Sequence, residues 1–147
     1  MDYLINGLTQ KEGNILYEFY FNELKFCGCR CPENTLLFIK NLLNIIYEKT
    51  KRCDNKDYYD RHYYYYDLYQ KELREVFEFE NKQENNNYFS NNQDGIIQFV
   101  LYYLDEVEVI EHGTSINGAW LTKKGEQILK ILNKVEDWDN FDISCFS

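Results

Sequence analysis

Apolar residues recur at spacings of three and four along most of the chain, and that spacing predicts helices. The first runs from a cap at Thr9 to about Phe26, with Ile15, Leu16, Phe19, Tyr20 and Leu24 on one face. Gly13 weakens its first turn, and residues 1–8 read as a loose start. A break at Cys27-Gly28-Cys29-Arg30-Cys31 precedes the strongest helical pattern, from Pro32 to about Thr50. Its first turn carries Pro32, whose missing N–H costs nothing there, and Glu33, whose charge suits the helix dipole. Leu36, Leu37, Ile39, Leu42, Leu43, Ile45 and Ile46 follow on a wide apolar face, which predicts a central position. After a polar connection at 51–57, residues 58–79 read as one long helix rich in tyrosine. Four consecutive tyrosines, Tyr63 to Tyr66, span more than one face of a helix, so some of their rings must show at the surface.

Residues 81–94 are almost wholly polar and predict a flexible, Asn-rich loop. A helix then starts at Asp94 or Gly95 and carries Ile96, Ile97, Phe99, Val100, Leu101, Tyr103 and Leu104. Val107 and Val109 alternate with acids, a period of two that predicts a short strand. Turn residues from Gly113 to Gly118 lead to a second strand at Ala119-Trp120-Leu121, and Thr122 caps a last helix through Ile128, Leu129, Ile131 and Leu132. The tail from Glu136 is acidic, with Trp138, Phe141 and Phe146 available to dock on the body. The expected architecture is mainly α with a small β-hairpin in a single domain, residues 1–147. It divides into a helical half (1–80), the loop (81–94), a helix–hairpin–helix half (95–135) and the tail (136–147).

Composition narrows the function classes. Aromatics are 18% of the chain, with fourteen Tyr and ten Phe, a bias that AT-rich coding DNA also produces. A formal charge of −9 opposes nonspecific binding to nucleic acid or to anionic membrane. It suits a protein partner with a basic surface, such as another protein's nucleic-acid channel, or serves solubility alone. No run of 18 apolar residues predicts a membrane-spanning helix, and the start at Met1-Asp2-Tyr3 shows no basic and apolar secretion signal. Five cysteines, an odd number, without such a signal predict reduced thiols in the cytoplasm.

The order helix, strand, turn, strand and then Leu121-Thr122-Lys123-Lys124-Gly125 with Ile128 and Leu129 resembles the wing region that ends MarR-type and PadR-type regulators. That resemblance implies a winged-helix-like C-terminal half packed on the N-terminal helices, and in those families the helix before the wing enters the DNA major groove. Base and phosphate contacts need Arg, Lys, Asn or Gln. The helix from Asp94 to Glu106 has no Lys or Arg, and neither has the turn from Gly113 to Gly118. The expectation is therefore a DNA-binding shape reused for protein contact, with a DNA-binding regulator as the alternative. The alternative draws its basic patch from Lys25, Lys40, Lys49, Lys51, Arg52, Lys123 and Lys124. The chain as a whole, with the stretch FNELKFCGCRCPENTLLFI before an amphipathic helix, is similar to small acidic proteins of phages and prophages. This implies a protein of the host cytosol, an accessory or anti-defence factor.

Three groups of residues can carry chemistry. Cys27, Cys29 and Cys31 lie close together, and Cys53 or a histidine (His62 or His112) completes a tetrahedral zinc set in one reading. The spacing is not that of a zinc knuckle, so free thiols packed as small apolar groups are the plainer expectation. A reactive thiol sensor, its pKa depressed by Arg30 and the following helix N-terminus, is a third. Asp105, Glu106, Glu108 and Glu111 read either as a row mimicking phosphates or as the solvated face of a strand. Tyr63, Tyr65 and Tyr66 suit a protein interface better than a base-stacking platform, because Asp57, Asp60 and Asp67 surround them. No phosphate-binding glycine loop, zinc-protease motif or nucleophile elbow is present, so a non-enzymatic binding protein is expected.

Overall fold

The computed structural model describes residues 3–24, 32–50, 93–113, 116 and 119–147. Its helices are α1 (Gln10–Glu18), continued by a π-helical turn at Phe19–Leu24, then α2 (Pro32–Thr50), α3 (Gln93–Glu106) and α4 (Lys123–Leu132). Strands β1 (Ile110–Glu111) and β2 (Trp120–Leu121) form an antiparallel pair, with Ile110 opposite Leu121 and Glu111 opposite Trp120. Two 3₁₀ turns, Trp138–Asn140 and Ile143–Phe146, close the chain. The described part is thus mainly helical with a two-stranded sheet, as the periodicity predicts. The expected helix at 58–79 lies outside the described residues. So does nearly all of the expected loop at 81–94, whose last two positions fall in α3.

The N-terminal start is not loose. Ile5 and Leu8 exchange both backbone hydrogen bonds, at 2.9 and 3.0 Å, around Asn6 and Gly7, which have φ of 51° and 86°. Positive φ at both central residues is the geometry that Asn-Gly favours, and the dipeptide is a strong turn signal passed over by a reading based on periodicity. The turn clasps the segment that follows α4. The Asn6 side chain accepts from the backbone N–H groups of Glu136 and Asp137 and donates to the Asp137 carbonyl at 2.7 Å. Leu8, fully buried, then seats the start of α1.

Helix α1 opens with a capping box: the Thr9 hydroxyl accepts from Glu12 N–H, and the Glu12 carboxylate accepts from Thr9 N–H. The helix forms through Gly13, whose missing side chain makes room for the tail. A Cβ there would stand 1.9 Å from the Phe146 ring. Leu16, Phe19 and Leu24 are fully buried, and Leu36, Ile39, Leu43 and Ile46 of α2 meet them in one core with α3, the hairpin and α4. Each such side chain contributes about 1.5–3 kcal/mol on burial. The tail docks as its aromatics predict. Phe141, Ile143 and Phe146 are buried, and Ile143 N–H donates to Glu33 at the start of α2. Trp138 is half-buried with the Lys40 ammonium 5.8 Å from its ring centre.

The strand expected across Val107 and Val109 is shorter than its alternation suggests. Helix α3 ends in a Schellman motif. Val109 N–H donates to the Leu104 carbonyl and Glu108 N–H to the Asp105 carbonyl, both at 3.0 Å. Glu108 holds the left-handed position with φ of 66°. Leu104 and Val109, both fully buried, make the apolar contact that accompanies this motif. The apolar–polar alternation at 107–109 therefore belongs to a helix stop, and only Ile110 and Glu111 are strand.

Candidate functional site

The motif Leu121-Thr122-x-x-Gly125 has a direct physical reading. Leu121 is buried. The Thr122 hydroxyl accepts from Gly125 N–H and donates to the Glu108 carbonyl at 2.6 Å, tying the cap of α4 to the end of α3. Gly125 is required because a Cβ would come within 2.0 Å of the Val109 carbonyl oxygen. This lock presents one corner of the molecule, made of the last turn of α3, the Schellman turn and the hairpin.

Asp105, Glu106, Glu108 and Glu111 meet at that corner, though not as one strand face. Asp105 and Glu106 sit in the last turn of α3, Glu108 on the Schellman turn, and Glu111 alone on β1. Glu111 accepts from the Trp120 indole N–H at 3.0 Å. Asp105 lies 3.7 Å from His112 Nε2, while His112 Nδ1 is 2.8 Å from the Gly113 carbonyl and so carries the hydrogen of that bond. The carboxylates of Glu106 and Glu108 have no partner among the described residues. The last turn of α3 holds no basic residue. Carboxylates at a helix C-terminus oppose the dipole, at about 0.3–1 kcal/mol each.

A recess of about 450 Å³ opens beside this turn, lined by Asn22, Glu23, Tyr103, Glu106, Val107, Glu108 and Lys124. Lys124 is already engaged by the Glu23 carboxylate and by the Val107 carbonyl at 3.0 Å. A second hollow, of about 560 Å³, runs between α1 and α4 over Ile15 and Ile128 and shares Glu23 and Lys124 with the first.

Two further residues belong to the corner. Phe99, which the helical pattern places among the apolar positions of α3, is 64% exposed, and Tyr102 is 54% exposed, its ring edge-on to His112. The signal was the unbroken apolar run Phe99-Val100-Leu101-Tyr102-Tyr103-Leu104, which goes right round a helix and overfills any single buried face.

Cys27, Cys29, Cys31 and Cys53 lie outside the described residues, as do Tyr63, Tyr65, Tyr66 and His62. Among the described residues no group of three His, Cys, Asp or Glu side chains is placed to hold a metal ion, and no helix is long and apolar enough to cross a membrane. Of the basic residues assigned to DNA contact, Lys40 is held over Trp138 and Lys124 by Glu23, Lys123 is exposed on α4, and Lys49 falls in α2 with its side chain outside the description. Lys25, Lys51 and Arg52 lie outside the described residues. No family model, no curated protein and no solved structure matches the chain.

Proposed function

We propose that the protein is a non-enzymatic protein-binding module that engages a partner with a basic surface through the corner formed by α3 and the hairpin. One observation carries the reading: two solvent-exposed aromatics on α3, Phe99 and Tyr102, are followed one turn beyond Tyr102 by Glu106 and then Glu108, whose carboxylates have no partner among the described residues. Exposed apolar area beside a field of one sign is a pattern of recognition surfaces rather than of solubility alone. From the sequence alone, Tyr63, Tyr65 and Tyr66 are further candidates for partner contact. In this reading the protein is a phage or mobile-element accessory factor of the host cytosol, with anti-defence as the role that an acidic decoy surface best serves. Zinc on Cys27, Cys29, Cys31 and Cys53 would be structural or sensory in this reading.

The order α3–β1–turn–β2–α4 favours one other reading, a winged-helix regulator that binds DNA. Helix α3 has no cation to offer a phosphate or a base edge, so we rank it second. Capture from nuclease-treated host lysate separates the two. A stoichiometric protein that survives nuclease and is lost when Glu106, Glu108 and Glu111 are changed to Gln supports the binding module. Retention of nucleic acid alone, abolished by nuclease and by moderate salt, reverses the ranking.

A further inference from the structure

Helix α3 is apolar on two sides. Val100, Leu101 and Leu104 are buried in the core, whereas Phe99 and Tyr102 face solvent and Tyr103 is half-buried, its hydroxyl donating to the Glu23 carbonyl at 3.4 Å. Phe99, Tyr102, Tyr103 and Glu106 stand at i, i+3, i+4 and i+7, so they form one stripe along the helix. The stripe ends at the recess walled by Tyr103, Val107, Glu106 and Glu108, where the lining cation, Lys124, is already neutralised by Glu23.

Charge decides what covers such a face. A second copy of the chain packed parallel on the same stripe would bring Glu106 and Glu108 towards their own counterparts, and one packed antiparallel would set them against the start of α3, which carries Asp94 and no cation. An anionic membrane or a nucleic acid meets the same repulsion. A cation placed at the end of α3 instead answers at once the negative end of the helix dipole and the carboxylates of Glu106 and Glu108, which have no partner among the described residues.

We propose that this stripe and recess form the docking site for a basic amphipathic helix of a protein partner. The partner's apolar side chains, at i, i+3 and i+4, cover Phe99 and Tyr102. A lysine or arginine lays its methylene stem along Tyr103 and Val107 and its head between Glu106 and Glu108. The proposal rests on the binding-module reading and adds to it the chemistry of the partner.

The test is a fluorescence-anisotropy titration of the full chain with a labelled amphipathic peptide of leucine and lysine, beside a leucine–glutamate counterpart and a scrambled one. The helical basic peptide is expected to bind and the others to bind weakly or not at all. The double variant Phe99→Ser/Tyr102→Ser should weaken it by about tenfold or more, as loss of aromatic anchors does. Glu106→Gln/Glu108→Gln should weaken it about threefold and flatten its salt dependence. Glu136→Gln/Asp139→Asn, which makes the same charge change on the exposed tail, should leave it unchanged.

Equal weakening by the tail variant, or none by the aromatic one, overturns the proposal by showing attraction to net charge alone. Self-association in sedimentation that Phe99→Ser/Tyr102→Ser abolishes assigns the face to a second copy. A large fall in melting temperature in that variant shows that the chain itself covers the face. If the peptide fails while the carboxylate variants still lose a captured protein, the docking helix is wrong and the binding-module reading stands.

Discussion

The tail and the end of α3 are written in nearly the same alphabet. Trp138, Phe141 and Phe146 alternate with Asp137, Asp139 and Asp142 in one; Phe99, Tyr102 and Tyr103 precede Asp105, Glu106 and Glu108 in the other. Their fates are opposite. In the tail the acids serve the backbone: Asp137 caps the turn at Trp138 and Asp142 caps the turn at Ile143. Phe141 and Phe146 are buried, the latter in the notch above Gly13. At α3 two aromatics face water, and Glu106 and Glu108 have no partner among the described residues. The same residue types are therefore structural in one place and available in the other. What separates them is whether the aromatics are buried and whether the neighbouring acids cap a turn of backbone.

The largest test of this contrast is at the closed end. Phe146→Ala should cost about 3–5 kcal/mol, the usual range for removing a buried phenylalanine. Gly13→Ala should cost a similar amount, because its methyl would take the space of the ring. The double variant should cost clearly less than the sum, since the second change acts on a ring that is no longer there. Urea denaturation of the four proteins measures the coupling, and strict additivity would break the notch-and-ring account.

At the open end the sign should reverse. Glu108 holds a left-handed conformation that glycine adopts without strain. Glu108→Gly should therefore raise stability by about 0.5–1 kcal/mol, the relief of strain offset in part by the freer unfolded chain. The same variant should bind a basic peptide less well. A carboxylate kept at a position where it costs stability is what a functional surface predicts.

The smallest expected effect separates a paired acid from the unpaired ones. The Lys134 ammonium, 2.5 Å away, and then Thr9 N–H hold the Glu12 carboxyl below its ordinary value. Its pKa is lower folded than unfolded, so the stability it contributes is complete above the carboxylate range. It is lost as pH falls through that range towards the folded value. The stability difference between wild type and Glu12→Gln should accordingly be present at neutral pH and shrink on acidification, as denaturation at a series of pH values would show. A difference independent of pH would mean that Glu12 acts as a neutral cap alone.

Much of this fold was legible in the residues. Thr9 and Thr122 are caps, Pro32 opens α2, and the spacing of Leu36, Ile39, Leu43 and Ile46 marks its buried face. Asn6-Gly7 was equally legible but belongs to turn chemistry, to which a search for periodicity is blind. The end of α3 misled because Val107 and Val109 satisfy a period of two for a local reason, a helix stop with its apolar contact, which imitates a strand. The candidate site was half legible. Its four acids stand out, but the pattern gives Phe99 only as one more apolar position of the helix, with nothing to say that it is exposed.

Local rules act between neighbours in the chain, and for that reason the sequence alone determined helix caps, helix faces and the presence of a small hairpin, though not the place of its first strand. Periodicity says which residues share a face, but not which face will find another to cover it. Only the tertiary structure decided that Phe146 has a glycine notch to fill while Phe99 has none. It also decided that Lys124 answers Glu23 while Glu106 and Glu108 find no partner among the described residues. Those outcomes depend on contacts between segments as many as 133 residues apart, such as Gly13 and Phe146, and no window along the chain contains both partners.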